Sequence, residues 1–202
     1  TAISDSGDKL LSVQLGGYEY VKLISISKAV QSMAVDAFEG WLVQILSEDI
    51  ARAIEYDIVN GTGENAPKGI VNALTYANAC NFVGLLDGAY DANAKFLMSK
   101  KTLYQDFIPL MDKSKHDLVI RNANGTFNIL GYPVLLSDSV DLHDAYLGDF
   151  KKYVGNLSQN ITVESSVDSG FKTNTIDFRG TAIFDGKPAI GEAFVKLTKA
   201  AE

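Results

Sequence analysis

Segment 60–70, which reads NGTGENAPKGI, contains the residue types of a phosphate-binding loop. Gly61, Gly63 and Ala66 have the Gly-x-Gly-x-x-Ala spacing that brings backbone amides close to the pyrophosphate of a dinucleotide. Lys68 adds a positive charge, but no Ser or Thr stands beyond it in the pattern of a Walker loop. The spacing alone does not distinguish a nucleotide-binding site from a structural loop.

The position of this loop in the chain favours the structural role. A dinucleotide fingerprint needs a strand before its glycines and a helix that begins at them, so that the phosphate meets free amides. Here the glycines follow a long amphipathic segment, which is the place of a helix C-terminus. We predict that Gly61 ends this helix in the left-handed conformation, that Pro67 prevents it from resuming, and that the loop reverses the chain without binding a ligand.

The two histidines, His116 and His143, are 27 residues apart and have no cysteine or further histidine close by. A zinc site needs three or four such ligands. Asp141, Asp144 and Asp149 surround His143 in the sequence and suggest a cluster for a divalent cation, but loop carboxylates are usually solvated. We therefore predict no metal site.

Hydrolase chemistry is not supported either. Ser137 and Ser139 lie near His143, yet the chain has no Gly-x-Ser-x-Gly elbow to present a nucleophile. Three acidic residues of the C-terminal region show no pairing that suggests acid/base catalysis: Glu164, Asp168 and Asp177. The sequence predicts no catalytic residue, no cofactor-binding residue and no enzyme activity.

The amphipathic segment before the loop predicts a helix from about Ala34 to Val59. Its apolar residues recur at steps of three and four, which places them on one face. Glu48 and Arg52 have the i,i+4 spacing of a stabilising ion pair. At 1.5 Å per residue this helix is about 37 Å long, which is typical of a helix on which the rest of a domain packs.

Strands are predicted on both sides of this helix. Residues 10–15 and 18–27 are extended runs, and Gly16-Gly17 between them allows a tight hairpin. Neither face of 18–27 is cleanly polar, so we expect it to contact protein on both sides.

The region 70–150 mixes helices with strands and predicts a small α/β layer, with helices at 82–90 and 100–111 and strands at 94–99, 126–130, 133–138 and 145–150.

From residue 161 the pattern predicts only strands. The first covers 161–167, and two more are expected between 175 and 198, with a turn at Asp185-Gly186-Lys187-Pro188. We expect these strands to pack on the long helix.

The composition of the chain restricts the kinds of partner that it can bind. The 202 residues suffice for one large or two small domains, and 25 acidic against 18 basic residues give a net charge of −7. The small basic groups at Lys100-Lys101 and at Lys113 with Lys115 indicate solvated surface, so we expect no specific nucleic-acid site.

Cys80 is the only cysteine, which excludes an intramolecular disulfide. No run approaches a membrane span, and no signal peptide is recognisable.

Six stretches in order carry a family resemblance: YVKLISIS, the helix to Val59 followed by Gly61-Thr62-Gly63 and Pro67-Lys68-Gly69-Ile70, YDANAKFLMSKKTLYQDF, ILGYPVLLSD, YLGDFKKYVG, and FDGKPAIGEAFVKLT with its Ala193-Phe194 pair. Together they resemble the major capsid proteins of tailed bacteriophages, the Hong Kong 97-like fold. The resemblance covers nearly the whole chain. It implies an α+β fold with a long spine helix packed on an antiparallel sheet in a peripheral domain, and a small α/β axial domain.

The resemblance also implies a domain order and a function. Residues 1–27 would be the remnant of an extended loop hairpin, 28–69 and 151–202 the peripheral domain, and 70–150 the axial domain. The protein would be a structural subunit of a phage or prophage head, assembled in the bacterial cytoplasm into hexamers and pentamers around DNA. Scaffold and portal proteins would be its partners, and the mature location would be the virion.

The chain departs from the family pattern at its N-terminus. Thr1 falls near the tip of the extended loop, so we expect an N-terminal arm to be missing and this form to be a monomer or small oligomer. Some relatives are cross-linked by a Lys-Asn isopeptide, but no motif aligns Lys9, Lys22 and Asn174 for that reaction.

Two other readings remain open at this point. An encapsulin-type nanocompartment shell resembles the same fold but packages enzymes in place of DNA. A small α/β nucleotide-binding enzyme using the 61–69 loop is the alternative from another class.

Overall fold

The structure, a computed structural model, describes residues 13–28, 35–70, 74–76, 83–109 and 119–198. Its helices, numbered in chain order, are α1 (Val35–Asn60), α2 (Gly88–Asp91) and α3 (Lys100–Thr102), which continues as a π-helical turn over Leu103–Phe107. Its strands are β1 (Tyr18–Ser27), β2 (Leu74–Tyr76), β3 (Lys95–Met98), β4 (Val119–Arg121), β5 (Phe127–Ile129), β6 (Tyr132–Leu136), β7 (Asp144–Gly148), β8 (Tyr153–Ser166), β9 (Thr175–Pro188) and β10 (Phe194–Thr198).

The spine helix α1 agrees with the sequence prediction to within one residue at each end. Leu42, Leu46 and Ile50 are buried at steps of four, as the apolar periodicity requires. The expected ion pair of Glu48 with Arg52 is not formed. Arg52 instead pairs with Asp49 at 3.5 Å, and Glu48 accepts a hydrogen bond from Gln44.

A three-stranded antiparallel sheet in the order β1-β9-β8 supports the spine helix. Leu42 and Leu46 form one cluster with Ile176 and Phe178 of β9, so the predicted packing of the C-terminal strands on the helix is confirmed. Gly180 allows the closest approach, because a Cβ there would lie 2.9 Å from Cδ1 of Ile50.

The predicted hairpin of 10–15 with 18–27 is not found in the described residues. Residues 13–17 are not in a strand, and β1 pairs with β9 along its whole length. Residues 10–12 lie outside the described ranges. Local turn chemistry made a hairpin plausible, but the longer β9 supplies ten consecutive partners for β1.

The predicted turn at 185–188 is also wrong. These residues continue β9 and pair with 153–156 of β8, from Asn156 opposite Asp185 to Tyr153 opposite Pro188. Pro188 is the last residue of its strand, where a missing N–H does least harm. The chain reverses after it, through a short 3₁₀ turn at Gly191–Ala193.

A seven-stranded mixed sheet in the order β2-β10-β7-β3-β6-β5-β4 forms the other layer. The β2–β10 and β3–β6 pairs are parallel, and the others are antiparallel. Its core contains Phe96, Met98, Leu103 and Leu147. β10 therefore lies with strands from 70–150 in this sheet.

Of the two helices predicted in the 70–150 region, the first is not continuous and the second is confirmed over its described residues. The described part of 82–90 divides into a 3₁₀ turn at Val83–Leu85 and the single turn of α2. The described part of 100–111 is helical to residue 109, and Ser99 caps its start by accepting from the amide of Thr102.

Candidate functional site

The glycine loop that follows α1 closes on itself. The amide of Gly63 donates to the carbonyl of Pro67, and the amide of Gly69 donates to the carbonyl of Gly61. The amide of Lys68 donates to Gly186 of β9 at 2.8 Å, which fastens the loop to the three-stranded sheet. Because these amides already have backbone partners, they are not available to cradle a phosphate.

The glycines of this loop are explained by close backbone approach. A Cβ on Gly61 would lie 2.2 Å from the carbonyl oxygen of Pro67, and a Cβ on Gly69 would lie 2.6 Å from the amide nitrogen of Gly61. The helix does end before Gly61, as predicted, and the chain does reverse. The left-handed conformation expected for Gly61 is wrong: Gly63, with φ +84°, and Asn65, with φ 57°, have it instead.

The residues proposed for a metal cluster are engaged elsewhere. His143 contacts Asp106, with 2.8 Å between Nδ1 and Oδ2. Asp144 forms an ion pair of 2.6 Å with Lys196 on the neighbouring strand, and Asp149 caps the short turn that follows β7. Within the described ranges no three His, Cys, Asp or Glu side chains lie close enough to hold a metal ion.

The candidate nucleophiles are not brought to a common site. The hydroxyl of Ser137 donates to Glu55, and Ser139 accepts from the side chain of Asn60 through its carbonyl oxygen. Neither serine is bonded to His143. His116 lies outside the described residues.

The carboxylates of the long hairpin also have structural roles. Glu164 pairs with Arg179 across the sheet at 2.6 Å. The pKa of Asp177 is lowered by hydrogen bonds from Ser169 and Ser25. Asp168 accepts through its carbonyl oxygen within the turn that joins β8 to β9. They bind other parts of the same chain and are not arranged for acid/base catalysis.

A polar junction forms where α1 ends and the two long strands meet β1. The Asp185 carboxylate accepts from the amides of Gly16 and Gly17, and the hydroxyl of Tyr20 donates to Asp57. Burial raises the pKa of the Tyr20 phenol, and its hydrogen bond to Asp57 raises it further. These contacts tie the segment before β1 to the body of the protein.

The Tyr153 hydroxyl in the same junction is buried and has no hydrogen-bond partner. Burial raises the pKa of this phenol, and the nearby charges of Asp185 and Asp57 act in the same direction. The ring packs against Gly186, where a Cβ would lie 2.8 Å from the hydroxyl oxygen. The junction therefore serves packing and positioning of the chain.

Large apolar side chains remain exposed on several surfaces. Phe171 is 80 % exposed and Leu23 is 62 % exposed, and others are about half exposed: Val21, Trp41, Tyr56, Ile120 and Val167. Such side chains indicate a protein contact where they lie together in one patch, whereas isolated ones are normal on any protein surface. Sequence reasoning did not select Phe171 or Trp41; an aromatic residue inside the turn-forming segment VDSGFKTN was the available signal for Phe171.

The described residues thus combine a long helix on a three-stranded sheet, a loop filled by backbone contacts and several exposed apolar side chains. No helix in the described ranges is both long and apolar enough to cross a membrane. A sequence model described as the phage capsid family matches residues 1–199. The chain belongs to this family, and it is a capsid shell protein with the α+β capsid fold predicted from its sequence.

Solved structures share this fold. The capsid of a native GTA particle matches with a TM-score of 0.72 at 18% identity, over 100% of this chain and 82% of that one. Gordonia phage Cozz matches with a TM-score of 0.69 at 14% identity, over 93% and 71%. The holo-SrpI encapsulin complex from Synechococcus elongatus matches with a TM-score of 0.65 at 13% identity, over 90% and 73%. None of the curated proteins matches the sequence significantly.

Proposed function

We propose that copies of this chain form hexamers and pentamers that close into the icosahedral head of a phage or prophage around its DNA. The observation that carries this proposal is the family match over nearly the whole chain. The net charge of −7 suits the inner wall of such a container, because an acidic surface repels the DNA that it encloses. The protein acts as a structural subunit and not as an enzyme.

Assembly would take place in the host cytoplasm, with scaffold and portal proteins as partners and the virion as the final location. Residues 1–27 would belong to the extended loop, and 28–69 with the long strands after residue 151 would form the peripheral domain. The axial domain would contain 70–150. The pairing of β10 with β7 favours adding 194–198 to it.

Electron microscopy tests this proposal. The whole gene product is expressed in a bacterial host, purified and imaged, and closed particles of uniform diameter are expected. Light scattering on the same sample measures the mass, which should be in the megadalton range for a shell. A protein that stays monomeric at high concentration, with or without a co-expressed scaffold protein, would contradict the proposal.

An encapsulin-type compartment is the second candidate, favoured by the fold shared with the encapsulin complex. The two candidates differ in what the particle contains. Particles purified from the natural host after nuclease treatment should hold protected DNA if this is a phage head. A co-purifying enzyme without protected DNA would favour the compartment.

A further inference from the structure

The turn of residues 167–174, which joins β8 to β9, presents Phe171 on a rigid support. The amides of Thr173 and Thr175 both donate to the carbonyl of Gly170, at 3.2 and 3.0 Å, and the amide of Phe171 donates to Asp168. Hydroxyl groups of Thr173 and Thr175 are also bonded to each other. These bonds hold the backbone of the turn, from which the side chain of Phe171 projects 80 % exposed.

An exposed aromatic residue on a hydrogen-bonded turn is well suited to anchor a protein contact. Aromatic anchors contribute much of the binding energy in interfaces, because they bury a large area and lose little conformational entropy. Ordinary turn positions are occupied by small polar residues, so nothing about the turn itself requires Phe at 171.

A groove elsewhere on the same chain has a suitable shape for such an anchor. It lies between β1 and the C-terminal half of α1 and has a volume of about 430 Å³. Val21, Ile50, Ala53 and Tyr56 give it an apolar lining. The space exceeds that of a single Phe side chain, and the Tyr56 ring can meet a second aromatic ring edge to face.

The charges at the groove and at the turn are complementary. Lys22 and Arg52 at the rim share the single carboxylate of Asp49, at 3.1 and 3.5 Å, which leaves one positive charge in excess. The turn has one exposed charge of each sign near the aromatic anchor, Asp168 and Lys172, so Asp168 can face the basic rim while Lys172 faces Asp49. Arg52 is 72% exposed along its side chain, so its guanidinium is also free to lie over an aromatic face.

Phe171 cannot occupy the groove of its own chain. Lys22 pairs with Gly180 and Ser27 pairs with Thr175, so five residues of β1 separate the groove from the turn. That distance is about 17 Å at 3.3 Å per residue. The anchor and the groove are therefore available only to different copies. A contact between two different patches of identical chains is heterologous, and such contacts build rings and extended shells.

We propose that the Phe171 turn of one copy inserts into the groove lined by Val21, Ile50, Ala53 and Tyr56 of a neighbouring copy. This inference rests on the proposed function, because it names one of the contacts that would join subunits. The occupant of the groove is a second copy of this chain, held by the apolar anchor and by the contact of Asp168 with the basic rim.

Site-directed cross-linking tests the contact while keeping the anchor intact. In a Cys80→Ser background, Lys172→Cys beside the anchor is combined with Ala53→Cys in the groove, and particles of the whole gene product are treated with a short bismaleimide. Denaturing gels should show covalent dimers and larger ladders. The two single-cysteine variants are the matched controls and should stay monomeric on the same gels.

A substitution of Phe171 itself, added to the double-cysteine chain, tests whether the cross-link depends on the anchor. Phe171→Asp in the double-cysteine chain should reduce the cross-linked fraction about tenfold or more, whereas Phe171→Tyr should retain it. Thermal unfolding of the Phe171→Asp chain should match that of its parent, because the residue is exposed and its replacement leaves the fold intact.

The outcomes separate this inference from the proposed function. Closed particles without cross-links, or with cross-links that survive Phe171→Asp, would overturn the docking contact and leave the shell proposal standing. If no particles form, cross-links that depend on Phe171 would still support the contact, and their absence would refute it.

Discussion

Two phenol groups near the C-terminal end of the spine helix differ in hydrogen bonding. Tyr20 donates to Asp57, whereas the buried hydroxyl of Tyr153 has no partner. A buried polar group without a partner reduces stability, because it loses its bonds to water and gains none. The two tyrosines should therefore respond in opposite directions to removal of the hydroxyl.

We expect Tyr153→Phe to raise the free energy of unfolding by about 1 kcal/mol, since only an unsatisfied group is removed. Tyr20→Phe should lower it by about 1 kcal/mol, because Asp57 loses its donor. Urea denaturation followed by circular dichroism measures both. A loss of stability in Tyr153→Phe would show that the hydroxyl binds a buried water molecule.

A substitution at Gly61 tests the close backbone packing of the loop that follows α1. Gly61→Ala places a methyl group against the carbonyl oxygens of Pro67 and Asp57, so it should lower the free energy of unfolding by about 1–3 kcal/mol. Gly40→Ala is the matched control, because that helical glycine has no atom within 4 Å of the new Cβ. It should raise stability by about 0.5–1 kcal/mol. Equal effects of the two changes would contradict the packing assigned to the loop.

The three-stranded sheet is covered by one face of α1. Leu42 and Leu46 pack on β9, and Gly180 lets the helix and strand come close. Trp41 and Val43, on the two sides of the buried stripe, are exposed. The helix therefore stabilises the three-stranded sheet through its buried stripe and leaves these two apolar side chains exposed.

Alanine substitutions at buried and at exposed positions of α1 should therefore differ in their cost to stability. Leu42→Ala and Ile50→Ala remove side chains that are 1 % and 2 % exposed, and each should cost about 2–5 kcal/mol. Val43→Ala, at a position 44 % exposed, should cost less than about 0.5 kcal/mol. Chemical denaturation of the three variants measures these values, and losses of similar size at all three positions would exclude the packing of α1 on β9.

In several parts of the molecule, tyrosine and lysine side chains have raised pKa values, so the folded chain keeps their protons to a higher pH than the unfolded chain does. Burial raises the pKa of Tyr146, and it does the same for Tyr20 and Tyr153. Burial by itself lowers the pKa of Lys196, but the hydrogen bond to Asp144 and the interactions with the charges of Tyr146 and Asp144 together outweigh it, and the net pKa is raised. Tyr20 and Tyr153 lie in the three-stranded sheet, and Tyr146 and Lys196 lie in the seven-stranded sheet.

Stability should consequently fall at alkaline pH. Unfolded Tyr and Lys have pKa values of about 10 and 10.4, so above about pH 10 the unfolded chain releases protons that the native chain keeps. The stabilisation is fully present below these values and is lost as pH rises toward the folded pKa values. Urea midpoints measured from about pH 7 to 11 should fall steeply only above about pH 10.

The double variant Tyr20→Phe/Tyr153→Phe is the control for the alkaline loss. It lacks two of the phenols with raised pKa, so its urea midpoint should fall less steeply above about pH 10 than that of the unchanged protein. Identical slopes would show that other groups cause the alkaline unfolding.

Local patterns determined much of this fold. The apolar period of three and four placed α1 to within a residue, and extended runs located the described strands except β2, β4 and the first half of β8. Family-like stretches in a fixed order pointed to the phage capsid family, which the match over residues 1–199 confirms. Such signals depend on neighbours along the chain, so they can be read without knowing which strands pair.

Only the tertiary structure decided the partners of those elements. Asp185-Gly186 has the composition of a turn, but the ring of Tyr153 fills the space beside Gly186 and keeps the segment in β9. β1 pairs with β9 and not with the run before it, and β10 joins the other sheet. The exposure of Phe171 and the groove across β1 and α1 likewise depend on contacts between residues far apart in sequence, which local periodicity does not encode.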